Sequence, residues 1–120
     1  MSPRWTPFLL ALLTSIVVFF MPASGVPSAP PGTDKVVHAA VFAALTVTGL
    51  WTTISRLLLA IALACYACLT EVLQANLPLG RSGDPGDVVA DLVGVGIAWS
   101  MCWLFGRYAA RRRASAERVG

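Results

Sequence analysis

Residues 36–77 read VVHAAVFAALTVTGLWTTISRLLLAIALACYACLTEVLQANL, two apolar blocks with a break too short to do anything but turn. Val36 to Ile54 and Leu57 to Leu77 each approach the roughly 20 residues that a helix needs to cross a hydrocarbon core about 30 Å thick. The break, Thr52 to Arg56, folds them into an antiparallel helical hairpin. Outward from that hairpin, Val88 to Phe105 is a third block of similar length. Phe8 to Met21 is shorter unless it extends over Trp5 to Ala23. The expected fold is therefore an all-α membrane protein: a four-span helical bundle with short connections. Its spans fall near 5–23, 36–54, 57–77 and 88–106, with a basic tail over 107–120, in a single domain covering 1–120.

Composition agrees. In 120 residues, 57% are hydrophobic and 12% charged, well outside the range of ordinary water-soluble domains. A formal charge of +3 could suggest nucleic acid, but its placement argues otherwise. Arg4, Arg56 and the cluster Arg107, Arg111, Arg112, Arg113 and Arg118 fall where four antiparallel spans put one side of a bilayer. By the positive-inside rule that side is cytoplasmic, which predicts a multi-pass protein of the inner (plasma) membrane with both termini inside. The tail can also contact anionic lipid. Met1 to Ala23 has a second reading as a signal peptide, with Arg4, an apolar centre and small residues at Ala23, Ser24 and Gly25. A retained span is favoured, because its loss leaves only three helices to pack.

Pro22 to Gly32, reading PASGVPSAPPG, predicts an extended loop, after which Thr33 or Asp34 is the expected cap of the second helix. Leu79 to Gly86, LGRSGDPG, ends the third span, and Asp87, or Asp84 ahead of Pro85, caps the fourth. Ala90, Gly94 and Ala98 form a small-residue ridge suited to close helix packing. Cys65, Cys68 and Cys102 fall within spans. They are expected to be inert packing residues, since nothing around the Cys65/Cys68 pair stabilises a thiolate.

The chemistry gathers at one end. Asp34 and His38 are four apart, Glu71 and Gln74 three apart, Asp87 and Asp91 four apart, so each of three helices presents a polar pair on one face. All three pairs, with Lys35 and Arg81 at the rim, fall toward the outer side. Ionisable groups at membrane depth are costly and face a bundle interior or a wet cavity. Some of this is adhesion: Arg81 is expected on Asp87 or Glu71, and His38 on Asp91. Three chemistries compete beyond that. His38, Glu71, Asp87 and Asp91 are a mixed donor set for a divalent metal, though a single histidine makes the signal weak, and no metal or cofactor is assigned. Arg81 and Lys35, with Gly80, Ser82 and Gly83, suit an anionic head group or phosphate. His38 with Glu71 or Asp91 suits general acid–base work, and His38, Glu71 and Asp91 are the catalytic candidates. Ser82 and Thr70 lack any activating motif, so covalent catalysis is unsupported.

The run DKVVHAAVF over 34–42, EVLQ over 71–74 and RSGDPGDVVADLVG over 81–94 together resemble the VanZ-like membrane proteins. In that family the pattern is approximately D-K-x-x-H, E-x-x-Q, then R and D-x-x-x-N followed by Gly. Asp34, Lys35, His38, Glu71, Gln74, Arg81, Asp87 and Gly94 fall on its positions, while Asp91 stands where Asn is usual. The resemblance implies a small bacterial envelope protein related to one associated with teicoplanin-type glycopeptide resistance. Its ligand residues would be Asp34, Lys35, His38, Glu71, Gln74, Arg81, Asp87 and Asp91. Its partners would be membrane lipid and a cell-wall precursor, lipid-linked molecule or glycopeptide, with no nucleic acid. A small enzyme acting on a phosphorylated lipid and a structural subunit of a membrane complex are the alternatives.

Overall fold

The structure, a computed structural model, describes residues 2–120; Met1, where both the signal-like segment and the domain expected over 1–120 begin, lies outside them. Four helices follow in order: α1 (Trp5–Phe20), α2 (Thr33–Trp51), α3 (Arg56–Asn76) and α4 (Pro85–Val119), with a short 3-10 turn at Ala23–Gly25. There is no strand among the described residues.

The helix starts are written in local chemistry. Ser55 caps α3 by accepting the Leu58 N–H at 3.2 Å, and Asp84 caps α4 by accepting the Gly86 N–H at 2.9 Å, with Pro85 as the first helical residue. The α2 start departs from expectation. Neither Thr33 nor Asp34 is the cap: the chain leaves the Pro-rich loop through Gly32, whose φ of 86° is left-handed. Thr33 is already helical, and its hydroxyl donates back to the Pro30 carbonyl at 2.8 Å.

By length and composition two helices, α3 and α4, can cross a membrane, so four crossings are not supported on that ground. α1 has 16 residues, which at 1.5 Å each fall short of a hydrocarbon core. α2 has 19, but opens on Thr33, Asp34 and Lys35 and carries His38. α4 differs in the other direction. Its 35 residues continue through the basic segment, so the expected tail is helix. Arg and Ala are strong helix formers, and no proline interrupts 107–119.

Packing is closest where side chains are smallest. A Cβ added to Gly94 would run into the Ala39 carbonyl oxygen, so the α2 and α4 backbones meet there. One added to Gly49 would lie 2.6 Å from Leu59 Cδ1, which seats the α2–α3 hairpin. Phe19, Phe42, Leu45, Leu59, Leu63 and Ala67 fill the interior. Around them the usual sorting is inverted: Ser15, Thr46, Thr70, His38, Glu71, Gln74, Asp87 and Asp91 are buried. Leu10, Leu13, Val36, Leu57, Ile61, Val89, Ile97 and Phe105 are exposed. Hydrocarbon surroundings favour that distribution, since lipid accepts leucine and rejects carboxylates. Cys65 and Cys68 correct the expectation of packing residues, for both are exposed on the outside of α3.

Candidate functional site

α2 and α4 run against each other at their N-terminal ends, and the tight Ala39–Gly94 crossing fixes their register one turn below the polar residues. The consequence is an interlocked row of charges. Lys35 Nζ donates to Asp84 Oδ2 at 2.5 Å and to Asp87 Oδ1 at 3.0 Å. One turn deeper, His38 Nδ1 is 2.8 Å from Asp91 Oδ1, and its Nε2 is 3.7 Å from Asp87 Oδ2. The histidine thus stands between two carboxylates, with its expected partner Asp91 the nearer. Its ring stacks on Phe19, centroids 4.6 Å apart, so α1 closes the remaining side.

α3 enters through Glu71 and Gln74. Glu71 Oε1 accepts the backbone N–H of Asp84, tying α3 to the α4 cap. Gln74 Nε2 and Arg81 Nη1 both donate to the Phe19 carbonyl, at 2.8 and 3.2 Å. That carbonyl is one of the last in α1, where a helix end carries partial negative charge and lacks intrahelical donors, so an amide and a guanidinium satisfy it together. The sequence placed Arg81 on Asp87 or Glu71; it is on neither. A buried carbonyl at a helix end attracts the cation as a carboxylate would, and no side-chain pattern announces it.

Two buried oxygens are left over. Glu71 Oε2 and Asp91 Oδ2 have no hydrogen-bond partner. A buried carboxylate oxygen without a protein donor is costly, so these two are the least stabilised polar atoms of the cluster. At the outer rim, the Lys35 ammonium holds the Asp84 carboxyl below its ordinary range, helped by the Gly86 N–H. The same contacts, Asp84 first and then Asp87, hold Lys35 above the usual lysine value.

The donor set weighed for a metal, His38, Glu71, Asp87 and Asp91, is not the carboxylate group that lies closest together. Among the described residues the close carboxylate group is Asp34, Asp84 and Asp87, with oxygens within 4.8 Å of one another. Lys35 Nζ lies 3.9, 2.5 and 3.0 Å from them, so a lysine ammonium already serves as the cation of that group. Asp34 itself is largely exposed at the edge. Sequence reasoning read Asp84 only as a cap, although it joins Lys35, Glu71 and the α4 start. The Asp-Pro pair signalled the cap; its second oxygen reaching across to α2 is a tertiary fact. Phe19 was missed altogether.

Two adjoining cavities open onto this cluster. One, ≈ 580 Å³, lies under the Pro-rich loop against Val26, Pro27, Pro30 and Val37, with His38 and Arg81 in its wall. The other, ≈ 360 Å³, is lined by Gln74, Gly80, Ser82 and Asp87 and shares Val26, Asp34, His38 and Arg81 with the first. No curated protein and no solved structure matches the chain. A model of the family described as VanZ/LLP1 matches residues 5–106. That match takes in α1 to α3, the clamp of Lys35 and Asp84, the His38–Asp91 pair and α4 as far as Gly106, and the chain belongs to the VanZ/LLP1 family.

Proposed function

We propose that this chain is a VanZ-like protein of the bacterial inner membrane, crossing it four times with both termini in the cytoplasm. Its outward-facing pocket binds an amphiphile bearing an anionic group, of the cell-wall-precursor, lipid-linked or teicoplanin-type glycopeptide class. The observation that carries this reading is the joined pair of cavities, one apolar and one polar, meeting at Arg81 and His38. Their volumes lie in the range of small-molecule sites, and a single molecule with an apolar arm and an anionic end matches both halves. Arg81 spends one N–H on the Phe19 carbonyl and keeps others for the ligand.

Arg81→Ala is the test. Gln74 still holds the Phe19 carbonyl in that variant, so membrane abundance stays near wild type while glycopeptide tolerance of cells expressing it falls to the level of cells lacking the protein. Parallel loss of abundance and tolerance would reduce Arg81 to adhesion. A second reading, an enzyme acting on a phosphorylated lipid, is favoured by one feature: His38, oriented by Asp91, lines both cavities, the arrangement of a general acid or base. Purified protein that releases phosphate from lipid phosphates, and loses turnover in His38→Ala, would establish it; an inert preparation removes it.

A further inference from the structure

The end of the bundle away from the acid cluster has a cavity of its own. It measures ≈ 420 Å³ and is walled by Leu50 at the close of α2, Arg56 at the start of α3, and Trp99, Trp103, Gly106 and Arg107 along α4. The Arg107 guanidinium lies over the Trp103 ring, 4.9 Å from its centroid. Neither arginine has an acidic partner among the described residues, where every ion pair involves Lys35 or His38. The α3 N-terminus at Arg56 adds its partial positive charge to the same wall. A Cβ on Gly106 would meet nothing within 4 Å, so the floor is open.

A second groove borders it at Cys102. This one, ≈ 540 Å³ and almost wholly apolar, lies between α2 and α4 against Val47, Ile97, Met101 and Phe105, and shares Cys102 with the first. Two guanidinium groups without acidic partners, one of them over an indole, beside an aliphatic trough match a phosphate on a hydrocarbon chain. Basic pockets between spanning helices on the cytoplasmic side are where anionic head groups are held.

We infer that this cavity seats the head group of an anionic phospholipid from the leaflet around the basic end, with Arg56 and Arg107 on its phosphate oxygens and an acyl chain along the groove. Free inorganic phosphate shares the head-group chemistry but leaves the groove unfilled. The seat rests on the membrane-spanning reading above and is independent of the outer pocket.

Native mass spectrometry of the full chain, released from detergent with phosphatidylglycerol, phosphatidylcholine or inorganic phosphate, tests it. Phosphatidylglycerol adducts outlast the other two, and each of Arg56→Gln and Arg107→Gln weakens retention about fivefold, the loss of one basic contact near a surface. Gly106→Leu, which fills the floor without changing charge, weakens it as well. The paired tail variant Arg113→Gln with Arg118→Gln retains lipid as wild type does. Equal retention of phosphatidylcholine, retention of inorganic phosphate as strong as of the lipid, or equal loss in the tail variant overturns the seat. Circular dichroism confirms that each variant keeps its helix content, and the wild-type preference for one head group needs no variant at all. Release of the chain from membranes by alkaline carbonate would instead sink the spanning reading beneath it.

Discussion

Asp91 concentrates the physical problem of the site in one side chain. It is 1% exposed, with one oxygen on His38 and the other without a partner. Burying a carboxylate with one oxygen lacking a protein donor is unfavourable, and Asn in its place keeps the acceptor for His38 and removes the charge. Asp91→Asn is therefore expected to leave the thermal midpoint in detergent unchanged or higher. Asp91→Ala strands the histidine and costs about 1–3 kcal/mol. A midpoint that drops equally in both would show that the charge itself, and not the hydrogen bond, holds α2 to α4. The histidine and both aspartates of α4 were legible as a four-residue periodicity. What was not legible was the direction of each contact: Lys35 and not Asp34 forms the clamp, because the facing groups on α4 are carboxylates, which an ammonium pairs with and a third carboxylate beside them cannot.

At the scale of elements, two devices join α2 to α4, and they respond to different perturbations. The lower one is steric. Gly94→Val puts atoms into the Ala39 carbonyl, and backbone cannot yield as a side chain does, so a loss of about 1–3 kcal/mol is expected in denaturant titration of the detergent-solubilised protein. The upper one is ionic. The Asp84 carboxyl is held below its ordinary value of 3.8, so its pairing with Lys35 contributes above that value and is lost as pH falls through the lower folded one. Asp84→Asn keeps the α4 cap, since Asn caps as well as Asp, and removes only the ionic partner. Its midpoint should lie below wild type near neutrality and converge on it in acid, as pH falls below the depressed carboxyl value; a constant gap at all pH values would assign the effect to packing. The small-residue ridge on α4 was readable from sequence, and so was the capping Asp-Pro pair. The α2 cap was misread because Gly32 takes a left-handed turn that neither threonine nor aspartate signals. The continuation of α4 through its arginines was hidden because charge reads as tail until helix propensity is weighed against it.

For the whole molecule, the question is how many helices cross the bilayer, and the contacts between elements bear on it more than composition does. Hydropathy supports α3 and α4 alone. Yet the α2 start is clamped by Lys35 to the α4 cap, while the α2 end, at Leu50, lines one cavity with Arg56 and Arg107. The C-terminal end of α1 is likewise held through the Phe19 carbonyl beside the α3–α4 connection. If α3 and α4 cross, α2 is bound at its two ends to groups on opposite faces, and a slightly short span is accommodated by local thinning at modest cost. Single cysteines in a background with Cys65, Cys68 and Cys102 replaced by serine test this in intact cells with a membrane-impermeant thiol reagent. Cysteine at Ser28 and at Ser82 should react from outside, and cysteine at Thr53 and at Ser115 only after permeabilisation. Ser28 is the deciding position, because it reports on α2 alone. Outside reaction at Ser82 with protection at Ser28 would mean that α2 lies along the surface, the two-crossing arrangement that composition by itself allows, and the pocket between loop and acid cluster would then open within the membrane interface instead of toward the periplasmic side.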